Sequence, residues 1–190
     1  MVEISNTLHS IGMLSHLLGD TDNAMVNFTR ALKIREAIYG EISIDVARTI
    51  DEIGYTFIQK GDSLGAIKYF QDALYIKQNL PQTSLISLVT SMKNLASASR
   101  MNQDYRGALS IYEEILTVQM SDGTSSYFTD RDVVGSFHSI GDVRMQLRQD
   151  NFAVKFFIKA FQYYRISGVN KDDPIMIELK KSMMSTGMCR

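Results

Sequence analysis

The chain repeats itself at a spacing of 42 residues. Gly12, Ala24, Phe28 and Ala31 return 42 positions later as Gly54, Ala66, Phe70 and Ala73, and 42 later again as Ala96, Ala108, Tyr112 and Ile115. A fourth set, Gly141, Ala153, Phe157 and Ala160, follows after 45. The first small residue precedes its alanine by 12 positions in all four sets, a constancy that scattered glycines and alanines would not keep. A period of this size marks stacked supersecondary units, each unable to bury its apolar face without a neighbour.

Each unit reads as two helices. In the first, Leu8, Ile11 and Ser15 share a face around Gly12; Ile50, Ile53 and Phe57 do so around Gly54, Met92, Leu95 and Ser99 around Ala96, and Phe137, Ile140 and Arg144 around Gly141. Short turns follow at Gly19-Asp20, Gly61-Asp62, Gln103-Asp104 and Gln149-Asp150. Glycine suits the end of one helix and an acid or hydroxyl caps the next. Small residues let two helices approach to about 8–10 Å. The spacing therefore predicts Gly12 against Ala24, Gly54 against Ala66 and Gly141 against Ala153.

These residues resemble the tetratricopeptide pattern, in its long variety of 42 residues found in kinesin light chains. The resemblance implies an all-α fold, a right-handed α-solenoid of antiparallel helix pairs. Four repeats are expected at about 3–40, 43–80, 84–120 and 129–168, with a capping helix at about 173–186, in a single domain over 1–190. Asp172-Asp173-Pro174 starts the last helix, whose Leu179 and Met183 face inward while Lys180 and Lys181 face out. The polar stretch from Ser121 to Thr129 carries the three extra residues and reads as a mobile loop.

The resemblance also implies a concave groove lined by the first helices of the pairs, where a partner's peptide lies. The positions left free by the packing pattern are Arg48, Asp51 and Tyr55 in the second repeat, Lys93, Asn94 and Ser97 in the third, and His138 in the fourth. Asn94 matches the asparagine that relatives use to bond a ligand's backbone, whereas Ser10, Glu52 and Ser139 stand at the equivalent places. The asparagine ladder is thus mostly absent. The mixture suits an acidic-apolar peptide.

Composition narrows the classes. Twenty basic and twenty-one acidic residues give a net charge of −1, without the basic footprint of a nucleic-acid binder. The single cysteine, Cys189, allows no internal disulfide and fits a reducing, cytoplasmic setting. No run approaches ~18 unbroken apolar residues, so no membrane insertion is expected. Phosphate-binding loops and nucleophile elbows are absent. His9 and His16 stand seven apart on one helix, about 10.5 Å at 1.5 Å per residue, too far to share a metal without a ligand between them. Asp20 and Asp22 read as helix caps. Neither metal nor cofactor nor catalysis is expected. Three classes remain: an adaptor holding a segment of a protein partner, a self-associating structural module, and a regulatory sensor region of a longer signalling protein or larger complex.

Overall fold

The computed structural model describes residues 1–167 and 173–186. Among them are nine α-helices and no strand, the all-α repeat solenoid the period predicts. Contacts divide the chain into two compact units, Met1–Asn102 and Gln103–Arg190. The first holds α1 (Val2–Leu17), α2 (Thr21–Tyr39), α3 (Ile44–Gln59), α4 (Ser63–Gln78) and α5 (Leu85–Met101). The second holds α6 (Tyr105–Met120), one 3-10 turn at Ser125–Tyr127, α7 (Asp130–Gln146), α8 (Asp150–Ser167) and α9 (Pro174–Ser185). Cys189 lies outside the described residues, as does Asp172.

The helix boundaries follow from local chemistry. Asp20, Asp62 and Asp104 each precede a helix and accept from the backbone N–H three residues on, those of Asn23, Gly65 and Gly107. Such caps contribute about 1 kcal/mol each. The residue before each aspartate turns left-handed. Glycine supplies that turn at Gly19 and Gly61, with φ of 79° and 80°, while Gln103 adopts it at 64° despite its side chain. In the fourth pair the turn falls one residue earlier than expected, on Arg148 at 56°, so Gln149 rather than an aspartate stands at the cap position. Thr129 and Asp132 cap α7 reciprocally, and Thr124 bonds the carbonyl oxygens of Val118 and Ser121. The segment expected as a plain loop therefore holds a hydrogen-bonded turn.

Packing within a pair depends on the repeated glycines, though not against the residues expected. A Cβ added to Gly12 would lie 2.7 Å from the Phe28 ring, one on Gly54 2.7 Å from Phe70, and one on Gly141 2.3 Å from Phe157. The ring four residues beyond each alanine, not the alanine itself, fills the space over the glycine. Phe28, Phe70 and Phe157 are almost wholly buried as a result. Between pairs, Ile53 of α3 packs on Ala24 and Phe28 of α2; within the second pair, Val46, Ala47 and Ile50 gather with Ala73 and Ile76 of α4. In the second unit Val133, Val134 and Phe137 of α7 join Phe157, Ala160 and Tyr164 of α8, and Met176 and Leu179 of α9 close the cluster. Leu179 is fully buried and Lys180 and Lys181 are exposed, in the register read from the sequence.

Ile11 departs from its expected place. It is 44% exposed, on the face that in α3, α5 and α7 seats on the second helix before it.

Replacing Gly54 by leucine drives a branched side chain into the Phe70 ring and should cost roughly 1–3 kcal/mol. A thermal-unfolding comparison with wild type checks this; an unchanged midpoint would mean the ring is free to move aside.

Candidate functional site

The residues singled out in the first unit lie on α3 and α5, and the structure sorts them by what already engages them. Asp51 is buried, its carboxylate 2.6 Å from the Lys77 ammonium of α4. The same Nζ donates to Ser91 Oγ of α5 at 2.6 Å. One side chain of the second helix thus bridges its own first helix and the next. Burial raises the Asp51 carboxyl above the usual carboxylate range, against the pull of the Lys77 and Ser91 hydrogen bonds. Sequence reading took Asp51 as a residue of the free face; its charge is instead committed to the interior.

The other residues remain nearer the surface. Arg48 is exposed, and Tyr55, Lys93, Asn94 and Ser97 are half-buried. Tyr55 packs edge-on against Phe70, centroids 5.2 Å apart. A side-chain hydrogen bond joins it to Asn94 of α5. Burial, then the Asp51 charge, raises the Tyr55 phenol, while the Asn94 bond pulls the other way. Glu52 beside them is raised by burial and next by Asp51. Once Asp51 is neutralised by Lys77, α3 presents Arg48 and Glu52 at this face, with Lys93 half-buried on α5.

His138 belongs to the second unit and is buried there. Its Nε2 lies 3.0 Å from Ser182 Oγ of α9, and Ser182 in turn donates to Asp142 at 3.0 Å. The ring fastens α9 to α7 rather than standing on an open face.

Sequence reasoning missed the bridging position itself. Arg35, Lys77, Gln119 and Tyr164 each fall four residues after the last small or apolar marker of their repeat, and all four are buried. Arg35 does in the first joint what Lys77 does in the second: Nη1 donates to Thr49 Oγ1 at 2.7 Å and to the Asp45 carbonyl at 3.1 Å, and Nη2 donates to Asn6 Oδ1 at 3.0 Å. Nη1 also meets His9 Nδ1 at 3.3 Å, which requires the neutral ring as acceptor. His9 is held down at about 4, by burial first and then by the charges of Arg35 and Arg48, against Asp45. In the second unit the amide of Gln119 and the Ser136 hydroxyl are buried without a hydrogen-bond partner. The signal was a polar residue recurring in register on a face that otherwise buries.

Elsewhere, Arg144 of α7 donates to Glu113 Oε1 at 2.6 Å and to Gln149 Oε1 at 2.8 Å, and lies over the Phe152 and Phe156 rings at 5.4 and 5.1 Å. Among the described residues no group of His, Cys, Asp and Glu could hold a metal ion, and no helix is long and apolar enough to cross a membrane.

Residues 3–79 match the tetratricopeptide repeat model. Solved structures with the same fold include a putative kinesin light chain of Podosopora anserina with nearly identical TPR-like repeats, at 14% identity and TM-score 0.80 over 97% of this chain and 87% of that one. BtubC (BKLC) from P. vanneervenii aligns at 20% identity and TM-score 0.76, over 90% of this chain and 66% of that one. Aspartyl phosphate phosphatase F from Bacillus subtilis aligns at 14% identity and TM-score 0.81, over 99% of this chain but 46% of that one. At these identities the likeness is one of fold. No curated protein matches the chain in sequence.

Two outcomes follow from the bridges. Lys77→Met alone strands the buried Asp51 charge and should cost about 3–5 kcal/mol, whereas Lys77→Met with Asp51→Leu should recover most of the loss. Chemical denaturation of the three proteins measures the difference. For His9, a folded value near 4 lies below the ordinary 6.5, so the unfolded chain binds the proton more readily. Its contribution is complete above about pH 6.5 and is lost as pH falls toward 4. Denaturation midpoints across that window should fall less steeply in His9→Gln than in wild type.

Proposed function

We propose that the chain, which matches the tetratricopeptide repeat model over residues 3–79 and shares the fold of kinesin-light-chain repeats, is a non-enzymatic adaptor whose α3–α5 face holds an acidic-apolar segment of a partner protein. The observation that carries this reading is the fate of Asp51. Its pairing with Lys77 removes a buried carboxylate from the charge of the face, where exposed Arg48 can meet a ligand's acids. Tyr55, braced on Phe70, offers a rigid ring to an apolar side chain. Asn94, already bonded to Tyr55, keeps amide capacity for a peptide backbone, and Ser97 lies one turn further along α5. His138, locked under α9, is left out of the contact set.

Exposed charge contacts are individually weak, so binding should be micromolar and should weaken with salt. The single cysteine, which allows no internal disulfide, supports a reducing, cytoplasmic setting for such an adaptor.

The double substitution Asn94→Ala with Lys93→Glu should abolish capture of the partner while circular dichroism and thermal unfolding stay near wild type. Pull-down from native lysate with both proteins side by side identifies the partner as the species lost only from the mutant. Wild-type capture by the folded mutant would move binding to another face.

A further inference from the structure

The first unit carries a cleft that neither the repeat nor the α3–α5 face accounts for. It lies between the C-terminal parts of α2 and α4, is floored by the buried side chains of Val46, Ile50 and Ile76, and encloses about 390 Å³. Its walls are Ile42, in the bend before α3, and Tyr75 of α4, which are 48% and 61% exposed. The repeat does not ask for an aromatic ring there, since Lys33, Thr117 and Gln162 hold the place of Tyr75 in the other pairs. A second cleft of about 360 Å³ meets the first at Ile42, with Tyr39 and Leu80 among its walls. Ile42 is thus a ridge between two partly apolar hollows.

The charge around them is of one sign. Glu36, Glu41 and Asp72 line the first cleft and Asp45 the second, and no lysine, arginine or histidine lines either. The side chains of Glu36, Glu41 and Asp72 form no ion pair or hydrogen bond among the described residues. Glu36 stands in the last turn of α2, which holds no basic residue, so its charge faces the negative end of the helix dipole and works against the helix. Unpaired acids set against a dipole and beside an apolar hollow do nothing for the fold. They fit a cation brought from outside.

We infer that this cleft is a docking site for a basic-apolar segment of another protein, whose large apolar side chain enters between Ile42 and Tyr75 while a neighbouring lysine or arginine meets Glu36, Glu41 and Asp72. Charge complementarity selects this occupant: an acidic segment is repelled by every carboxylate that lines the two clefts, and an uncharged one leaves them unanswered. The exposed Tyr75 ring offers the cation a face as well. The α3–α5 face is read as taking the opposite charge, and the two sites stand or fall separately.

The probe is a short leucine-lysine peptide, set against a leucine-glutamate peptide of the same length, each titrated into the isotope-labelled full chain. The lysine peptide should shift the backbone resonances of Ile42 and Tyr75, less so as salt is raised, and the glutamate peptide should leave them in place. Glu41→Lys with Asp72→Lys should weaken the lysine peptide about tenfold at an unchanged thermal midpoint, both residues being exposed. Tyr75→Lys, which installs the side chain of the first repeat at that place, should weaken it as well. Asn94→Ala with Lys93→Glu should bind it as wild type does, which separates this site from the α3–α5 face. Equal binding of the two peptides, shifts confined to other residues, or undiminished binding by the Glu41 and Asp72 variant would overturn the inference. Resonances of Ile42 and Tyr75 that move with protein concentration alone would overturn it too, by making a second copy the occupant.

Discussion

The contact on which the fold rests is a phenylalanine ring laid on a glycine. At Gly12–Phe28, Gly54–Phe70 and Gly141–Phe157 even one added carbon would fall well inside contact distance of the ring. The glycine therefore sets how near the two helices of a pair stand, and the ring supplies the apolar area that holds them there. Every other interface inherits that spacing. Ile53 reaches both Ala24 and Phe28 because the ring is already pinned flat beneath it.

A second device joins one pair to the next. The side chain four residues beyond the last small marker crosses from one pair to the next, as a guanidinium at Arg35 and an ammonium at Lys77, and finds a hydroxyl on the following helix, Thr49 or Ser91. A buried cation is tolerated only where its donors are satisfied. Each bridge therefore fixes the register of the joint it spans, in a way that apolar packing of alanines and isoleucines alone would leave looser. Gln119 stands at the same place in the second unit without a protein partner for its amide, so that joint relies on packing.

The helices, their caps and the glycine period were legible in the sequence because each is written in residue type at fixed spacing. The glycine's partner was not, since Ala66 and Phe70 lie four apart on one helix face and spacing does not say which of them covers Gly54. The bridging position escaped for a different reason. Arg35, Lys77, Gln119 and Tyr164 share a place but no chemistry, and a repeat found by matching residue types passes over them. Missing them turned Asp51 into a candidate ligand contact, because the free-face pattern assigns any acid at that register to solvent. His138 misled in the same way: α9 covers it, and its partner Ser182 is 44 residues distant. The last turn was misplaced by one residue because Gln149-Asp150 looks like Gln103-Asp104, whereas the 45-residue shift aligns Arg148 with Gln103.

A first helix in this fold has three faces with separate duties: one meets the ring of its own pair, one seats on the previous pair, and the remainder is available for recognition. Charges on the third face have to be counted after internal pairing, not before. Before internal pairing is counted, the α3 row of Arg48, Asp51 and Glu52 carries a net negative charge. With Asp51 held by Lys77 2.6 Å away, Arg48 and Glu52 offset one another and the α3 row is no longer negative. The interior bridge thus governs what the surface can attract. Because burial also raises Glu52 above the usual carboxylate range, acidification takes its charge off the face sooner than it would from an ordinary glutamate.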